Sequence, residues 1–210
     1  LERARQFAED VVDALGGDRV GLIEFAGTAA LRAPLTLNYG AMRMQLQDLR
    51  AISGARGGTA LANAIDLAVG SFPPTAATSR AILVLSDGEN LQGGESPVEA
   101  ARKAYEQHGV RVYTLGIGDP REGGRIPVNV RDGNQYLMHD GQVVWSRMDE
   151  RTLREMATAG GGAFIPAETG QVNMTRAYQE TIGQLERQEF DSATVTRRPP
   201  RFQWFAVVAF

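Results

Sequence analysis

Two short polar stretches hold the residues best suited to chemistry. In AILVLSDGEN, residues 81–90, an apolar run from Ala81 to Leu85 stops abruptly at Ser86-Asp87-Gly88-Glu89-Asn90. In SGARGGTALANAI, residues 53–65, glycines 54, 57 and 58 lead into Thr59 at the start of a helical pattern. A hydroxyl and a carboxylate offered by neighbouring loops at one sheet edge are hard oxygen ligands. They suit magnesium, which wants octahedral coordination and keeps several waters. Two such groups do not bind a cation tightly, so a third loop has to contribute. Each residue also has a plainer reading: Asp-Gly is a good turn dipeptide, and Thr59 in that place is a helix N-cap. A phosphate loop fits poorly, since no Gly-Lys-Ser/Thr follows and a helix precedes the glycines.

Other chemistry finds little support. His108 and His139 are the only histidines, and their positions near a helix end and a turn read as surface sites. No acid pair, nucleophile–base pair or dinucleotide fingerprint can be assembled. The absence of cysteine removes disulfides, thiolate catalysis and zinc–thiolate sites together. A net charge of -3 gives no polyanion-binding signal, which argues against nucleic acid.

The elements that must position Thr59 and Asp87 follow from periodicity. Leu1, Ala4, Phe7, Ala8, Val11, Val12 and Leu15 have helical spacing, and Gly16-Gly17 stop the helix. Residues 19–27 and 29–36 read as strands paired in a hairpin. Helices are predicted over 39–52, 59–72, 97–108, 148–162 and 172–187. Residues 80–87, 110–118 and 163–167 read as further strands, and 136–145 as a small hairpin turning at Asp140-Gly141. Strands alternating with helices predict a doubly wound, mostly parallel α/β sheet, with one antiparallel edge strand from the hairpin.

The stretch RRPPRFQWFAVVAF, residues 197–210, ends almost wholly apolar. Residues 204–210 are too short to cross a bilayer, which needs about 20 residues. They are expected to open a transmembrane segment, with Trp204 at the interface and residues 188–203 as a linker. Arg197, Arg198 and Arg201 then read as a basic flank or a solvated linker. The alternative is a C-terminal strand or docked tail.

GDRVGLIEFAG, LTLNYGAM, GGTALANAI and LVLSDGEN, in that order and spacing, resemble a von Willebrand factor A domain, and more closely the bacterial membrane-anchored Bat (aerotolerance operon) proteins. GIGDP and MDERTLREMATAGGGAF continue the likeness, and the domain is expected to occupy residues 1–187. The resemblance implies a metal-ion-dependent adhesion site built from three motifs. They are Asp-x-Ser-x-Ser after a first strand, a threonine that maps to Thr59, and an aspartate that maps to Asp87. A partner's acidic side chain completes the coordination. This sequence holds no Asp-x-Ser-x-Ser. The family's first strand, central between residues 19–27 and 80–87, is therefore expected to be missing, leaving two bare edges and weak or absent Mg2+ binding.

The resemblance further implies a protein-binding module rather than an enzyme. It implies a MoxR-type AAA+ ATPase and other Bat-type proteins as partners, a membrane tether outside this chain, and a place on the outer face of the bacterial inner membrane. Two rivals stand beside this reading. One is a magnesium-dependent phosphoryl-transfer enzyme using Asp87; the other is a domain that keeps the fold without binding metal.

Overall fold

The computed structural model describes residues 2–49, 60–74, 79–88, 95–119, 123–125, 127–129, 135–136, 138–139, 142–143, 145–167 and 203–209. Helix α1 spans Glu2–Ala14 and is followed by strands β1 (Arg19–Phe25) and β2 (Ala29–Thr36). Next come α2 (Tyr39–Asp48), α3 (Leu61–Ser71), β3 (Arg80–Ser86), α4 (Pro97–His108) and β4 (Val110–Ile117). Six short strands form three two-stranded ribbons: β5 (Gly124–Arg125) with β10 (Trp145–Ser146), β6 (Pro127–Asn129) with β7 (Gln135–Tyr136), and β8 (Met138–His139) with β9 (Gln142–Val143). In the β8–β9 pair Met138 lies opposite Val143 and His139 opposite Gln142, antiparallel, while Asp140 and Gly141, expected to make the turn, lie outside the described residues. Helix α5 (Glu150–Ala159), β11 (Gly161–Ala167) and β12 (Gln203–Ala209) complete the order.

The main sheet runs β11-β4-β3-β12-β1-β2, parallel throughout except for the β1–β2 hairpin at one edge. Alternation along each strand divides the core into two layers. Val20, Leu22, Leu83, Leu85, Tyr113, Trp204 and Val208 face α1 and α2, where Val12, Met42 and Leu46 meet them. Ile23, Phe25, Ile82, Val84, Val112, Phe205 and Val207 face α3, α4 and α5, meeting Leu61, Ile65, Ala101 and Leu153. Helices on both faces of a mostly parallel sheet make the doubly wound α/β fold predicted from the alternation.

Helix ends follow local chemistry. Asn38 caps α2 by accepting from the Ala41 N–H at 3.0 Å, and Asp149 caps α5 by accepting from the Thr152 N–H at 3.1 Å. Pro97 opens α4, and Gly109 closes it in the left-handed region with φ of +62°. Tyr105 of α4 is 40% exposed and lies under the Arg111 guanidinium. The helix predicted over 172–187 lies outside the described residues.

The centre of the sheet departs from expectation. The place between β1 and β3 is filled by β12, parallel to both, with Leu22 and Leu83 each facing Ala206 in register. No described strand precedes α1, as expected, but the central place is not vacant: the last strand fills it, and the sheet takes in residues 203–209, past the domain boundary expected at residue 187. The segment expected to open a membrane span is a strand covered on both faces. The physical reason is that a short apolar run reads alike as the opening of a membrane span and as a parallel strand covered on both faces. Among the described residues, no helix is long and apolar enough to cross a membrane.

Candidate functional site

The candidate site lies at the carboxyl edge of the sheet, where open α/β folds bind their ligands. Strand β3 ends in Ser86, which is buried. Its Oγ accepts from the Gly88 N–H at 3.0 Å, closing a tight turn around Asp87. The Asp87 carbonyl accepts from the Asp149 N–H at 2.7 Å, fastening this turn to the start of α5. Gly88 has φ of +79°, and a Cβ there would lie 2.7 Å from the Asp149 carbonyl oxygen and 2.9 Å from Leu153 Cγ. Both of these bonds use the backbone or Ser86. The turn chemistry thus requires glycine at 88 and a short polar residue at 86.

On the other side of β12, the Ala60 N–H donates to the Ala26 carbonyl at 2.8 Å, tying the start of α3 to the end of β1. Ala60 itself occupies the N-cap position and makes no side-chain cap bond. Thr59 immediately precedes it and lies outside the described residues. The plain reading of Thr59 as N-cap therefore loses its position to Ala60. The start of α3 at Ala60 and the turn at Asp87 lie at one edge, flanking the end of β12. Phe25 is in register with Ala209, and Leu85 with Val208.

The described residues do not complete a tight cation site. Strand β12 ends in Val207, Val208 and Ala209, none of which offers a side-chain oxygen. Among the described residues, no group of three or more His, Cys, Asp and Glu side chains converges on one point. The Asp149 carboxylate is engaged in capping, accepting from the Thr152 N–H and from the Thr152 hydroxyl at 2.6 Å. His108 stands in the last turn of α4, where its carbonyl accepts from Arg80. His139 falls in β8, and Arg197, Arg198 and Arg201 lie outside the described residues.

Two further charged features escape a simple reading of the sequence. Glu24, near the end of β1, is only 3% exposed and pairs with Arg32 of β2. Its place on an otherwise apolar strand is the signal for an inward carboxylate with a partner. Between α3 and α4, Asp66 has its carboxyl pushed above the ordinary range, chiefly by desolvation and then by Glu95, against the opposing pull of Lys103 and His108. Asp66 plays no part in the carboxyl-edge loops.

Residues 1–180 match the sequence pattern of the von Willebrand factor type A domain. The chain belongs to the von Willebrand factor type A family. Among solved structures this domain is similar to the conserved hypothetical protein BatB of Bacteroides thetaiotaomicron, with 35% identity, coverage of 89% of this chain and 88% of that one, and a TM-score of 0.78. It is also similar to an aerotolerance-related membrane protein of Bacteroides fragilis, with 33% identity, 89% and 88% coverage, and a TM-score of 0.77. Among curated proteins, a UPF0353 protein of Nocardia farcinica is 27% identical, over 87% of this chain and 57% of its own length. An uncharacterized protein of Borreliella burgdorferi is 25% identical, over 90% of this chain and 52% of its own length. The chain thus spans about half the length of the curated relatives it matches. It is a von Willebrand factor A domain of the Bat-like kind.

Proposed function

We propose that this domain is a protein-binding module that acts by recognition rather than catalysis. It engages an acidic side chain of its partner through a divalent cation, with magnesium the fitting ion for hard oxygen ligands. Thr59 and Asp87 are its two ligand positions. The observation that carries this reading is the pairing of loops across the carboxyl edge. The Ala60–Ala26 bond brings the residue after Thr59 against the end of β1, while Asp87 follows β3 two strands away. Turn geometry accounts for Ser86 and Gly88, and Asp87 stands between them at the carboxyl edge. With apolar residues at the end of β12, the two ligands alone hold the ion weakly. A strand ending in Asp-x-Ser-x-Ser, seated where β12 lies, supplies the missing oxygens.

The likeness to BatB and to an aerotolerance-related membrane protein supports a membrane-associated setting. A MoxR-type AAA+ ATPase and companion Bat-type proteins are the partner classes proposed, with the domain on the outer face of the inner membrane. Calorimetric titration with MgCl2 tests the site. The 210-residue chain should bind weakly or not at all. A version carrying an Asp-x-Ser-x-Ser strand before residue 1 should bind, and Thr59→Ala or Asp87→Ala in that version should abolish binding. Tight binding by the 210-residue chain, or binding indifferent to Asp87→Ala, overturns the reading.

A further inference from the structure

Thr114 is a fully buried hydroxyl in the middle of β4, where its buried neighbours along the strand are Val112, Tyr113 and Leu115. It stands in register between Val84 of β3 and Phe164 of β11, on the face that packs against α5. Valine has the same shape, suits a strand equally well and brings no hydroxyl to satisfy. Packing alone therefore gives no reason for threonine. The Thr114 Oγ1 donates to the Leu153 carbonyl of α5 at 2.9 Å. An α-helix already supplies such a carbonyl with the N–H four residues on. The extra bond therefore fixes where α5 sits on the sheet.

Leu153 is also where α5 meets the turn that carries Asp87. Its N–H donates to the Asp149 carbonyl at 3.2 Å, and a Cβ at Gly88 would lie 2.9 Å from its Cγ. One helical turn earlier, the Asp149 N–H holds the Asp87 carbonyl at 2.7 Å. The cap bonds from Thr152 to the Asp149 carboxylate stay within the helix start and keep it rigid. The Thr114–Leu153 and Asp149–Asp87 bonds instead join this end of α5 to two neighbouring strands, β4 and the turn after β3. A displacement of α5 at Leu153 is thus passed to the backbone of Asp87. Magnesium tolerates little of it, because its octahedral shell is strict and such ligands must be held within about 0.5 Å.

We infer that Thr114 is a positioning residue for the carboxyl-edge site, acting through Leu153 and Asp149 to hold the Asp87 turn in place for a cation. The inference rests on the reading of Asp87 as a cation ligand, and its network uses no residue of β12. Coupling of this kind is reciprocal. A cation that fixes the Asp87 turn also steadies the start of α5, and a change that shifts α5 weakens the cation.

Two measurements test it, one without metal and one with. In the metal-free 210-residue chain, Thr114→Val should speed amide hydrogen exchange at Asp149 about tenfold, the worth of one buried hydrogen bond. The rate is read relative to the β3 amides of Ile82 and Val84, which report global opening. Thr114→Ser, which keeps the hydroxyl, should restore the wild-type ratio, and Thr114→Ala replaces Thr114→Val if the latter does not fold. In the version carrying an Asp-x-Ser-x-Ser strand, calorimetric titration with MgCl2 should show Thr114→Val weakening binding about tenfold for the same lost bond. Thr114→Ser should bind as wild type does, and Mg2+ should slow exchange at Asp149. An Asp149 ratio unchanged by Thr114→Val, or a fall in Tm with Mg2+ affinity unchanged, overturns the inference alone. Failure of the unsubstituted strand-bearing version to bind Mg2+ overturns the reading of the site, and the inference with it.

Discussion

The backbone N–H of Asp149 donates to the carbonyl of Asp87 across 2.7 Å, so the turn that carries the candidate ligand is fixed to the first residue of a helix cap. Gly88 makes this contact possible by turning left-handed with its α-carbon against the Asp149 carbonyl. Gly88→Ala should therefore strain the backbone and push the turn away from α5. The expected cost is about 2 kcal/mol, seen as a fall of about 4–8 °C in Tm. An unchanged Tm shows that the turn is not held in this way.

Asp87→Ala should behave differently. The bonds just described do not use its side chain, so the apo protein should lose less than Gly88→Ala costs. A large fall in Tm without metal favours a purely structural role for the carboxylate. The pair of substitutions separates the turn from the ligand.

The buried Glu24 and its half-exposed partner Arg32 predict a coupled response. Arg32→Ala leaves a carboxylate inside β1 without its cation, at a cost of about 2 kcal/mol once partial solvent access is allowed for. Adding Glu24→Gln should recover much of that loss. Denaturant titration of the two single variants and the double variant reads the coupling, and additive effects would show that the pair contributes nothing.

Asp66 predicts a pH dependence with a definite sign. Its folded pKa is raised above the ordinary aspartate range, first by desolvation and then by Glu95. The folded state therefore holds this proton more tightly than the unfolded state. The stability it contributes is present below the unfolded pKa and is lost as pH rises through the folded one. Asp66→Asn should raise Tm at pH 7 relative to wild type, and the difference should vanish near pH 3. A difference of the same size at both values rules out this origin.

Strand β12 carries a further expectation. With β12 seated, amides of residues 20–25 and 81–85 should be strongly protected from hydrogen exchange. Its fully covered Trp204, Phe205, Val207 and Val208 each contribute about 1.5–3 kcal/mol by burial. Their sum rivals the 5–15 kcal/mol total typical of a domain. Removing residues 203–210 should strip that protection and give aggregates on size-exclusion chromatography; a protected monomer without them contradicts the central placement.

Most of the sheet was legible because its strands and helices keep clean periods: the stretch 80–87 is β3 within a residue, and 97–108 is α4 without change. The loops bearing Thr59 and Asp87 were legible as abrupt polar stops after apolar runs. The role of 203–209 was not, since nothing local in seven apolar residues names the strands on either side. The clue lay far away, in Gly21, a glycine inside an otherwise bulky strand, where a Cβ would overlap the Phe205 ring. Asp149 carried its own signal, an aspartate three residues before Thr152, but a helix start assigned at 148 concealed the cap. Glu24 was passed over for lack of a visible partner, because Arg32 becomes its neighbour only when the hairpin closes.

The position of β12 also bears on how the protein is made. During synthesis β1, β2, β3, β4 and β11 all leave the ribosome before the strand that joins β1 to β3. Until residues 203–209 emerge, the nascent chain holds two half-sheets with their inner edges bare, and such edges recruit any extended chain nearby. The β1–β2 hairpin and the β3–β4–β11 unit can each gather helices early, but neither can be sealed to the other. Folding is therefore finished by the last contacts to form and the longest-range ones in the sheet, the slow kind. A holdase that shields strand edges should matter most to this domain in the interval before residues 203–209 emerge.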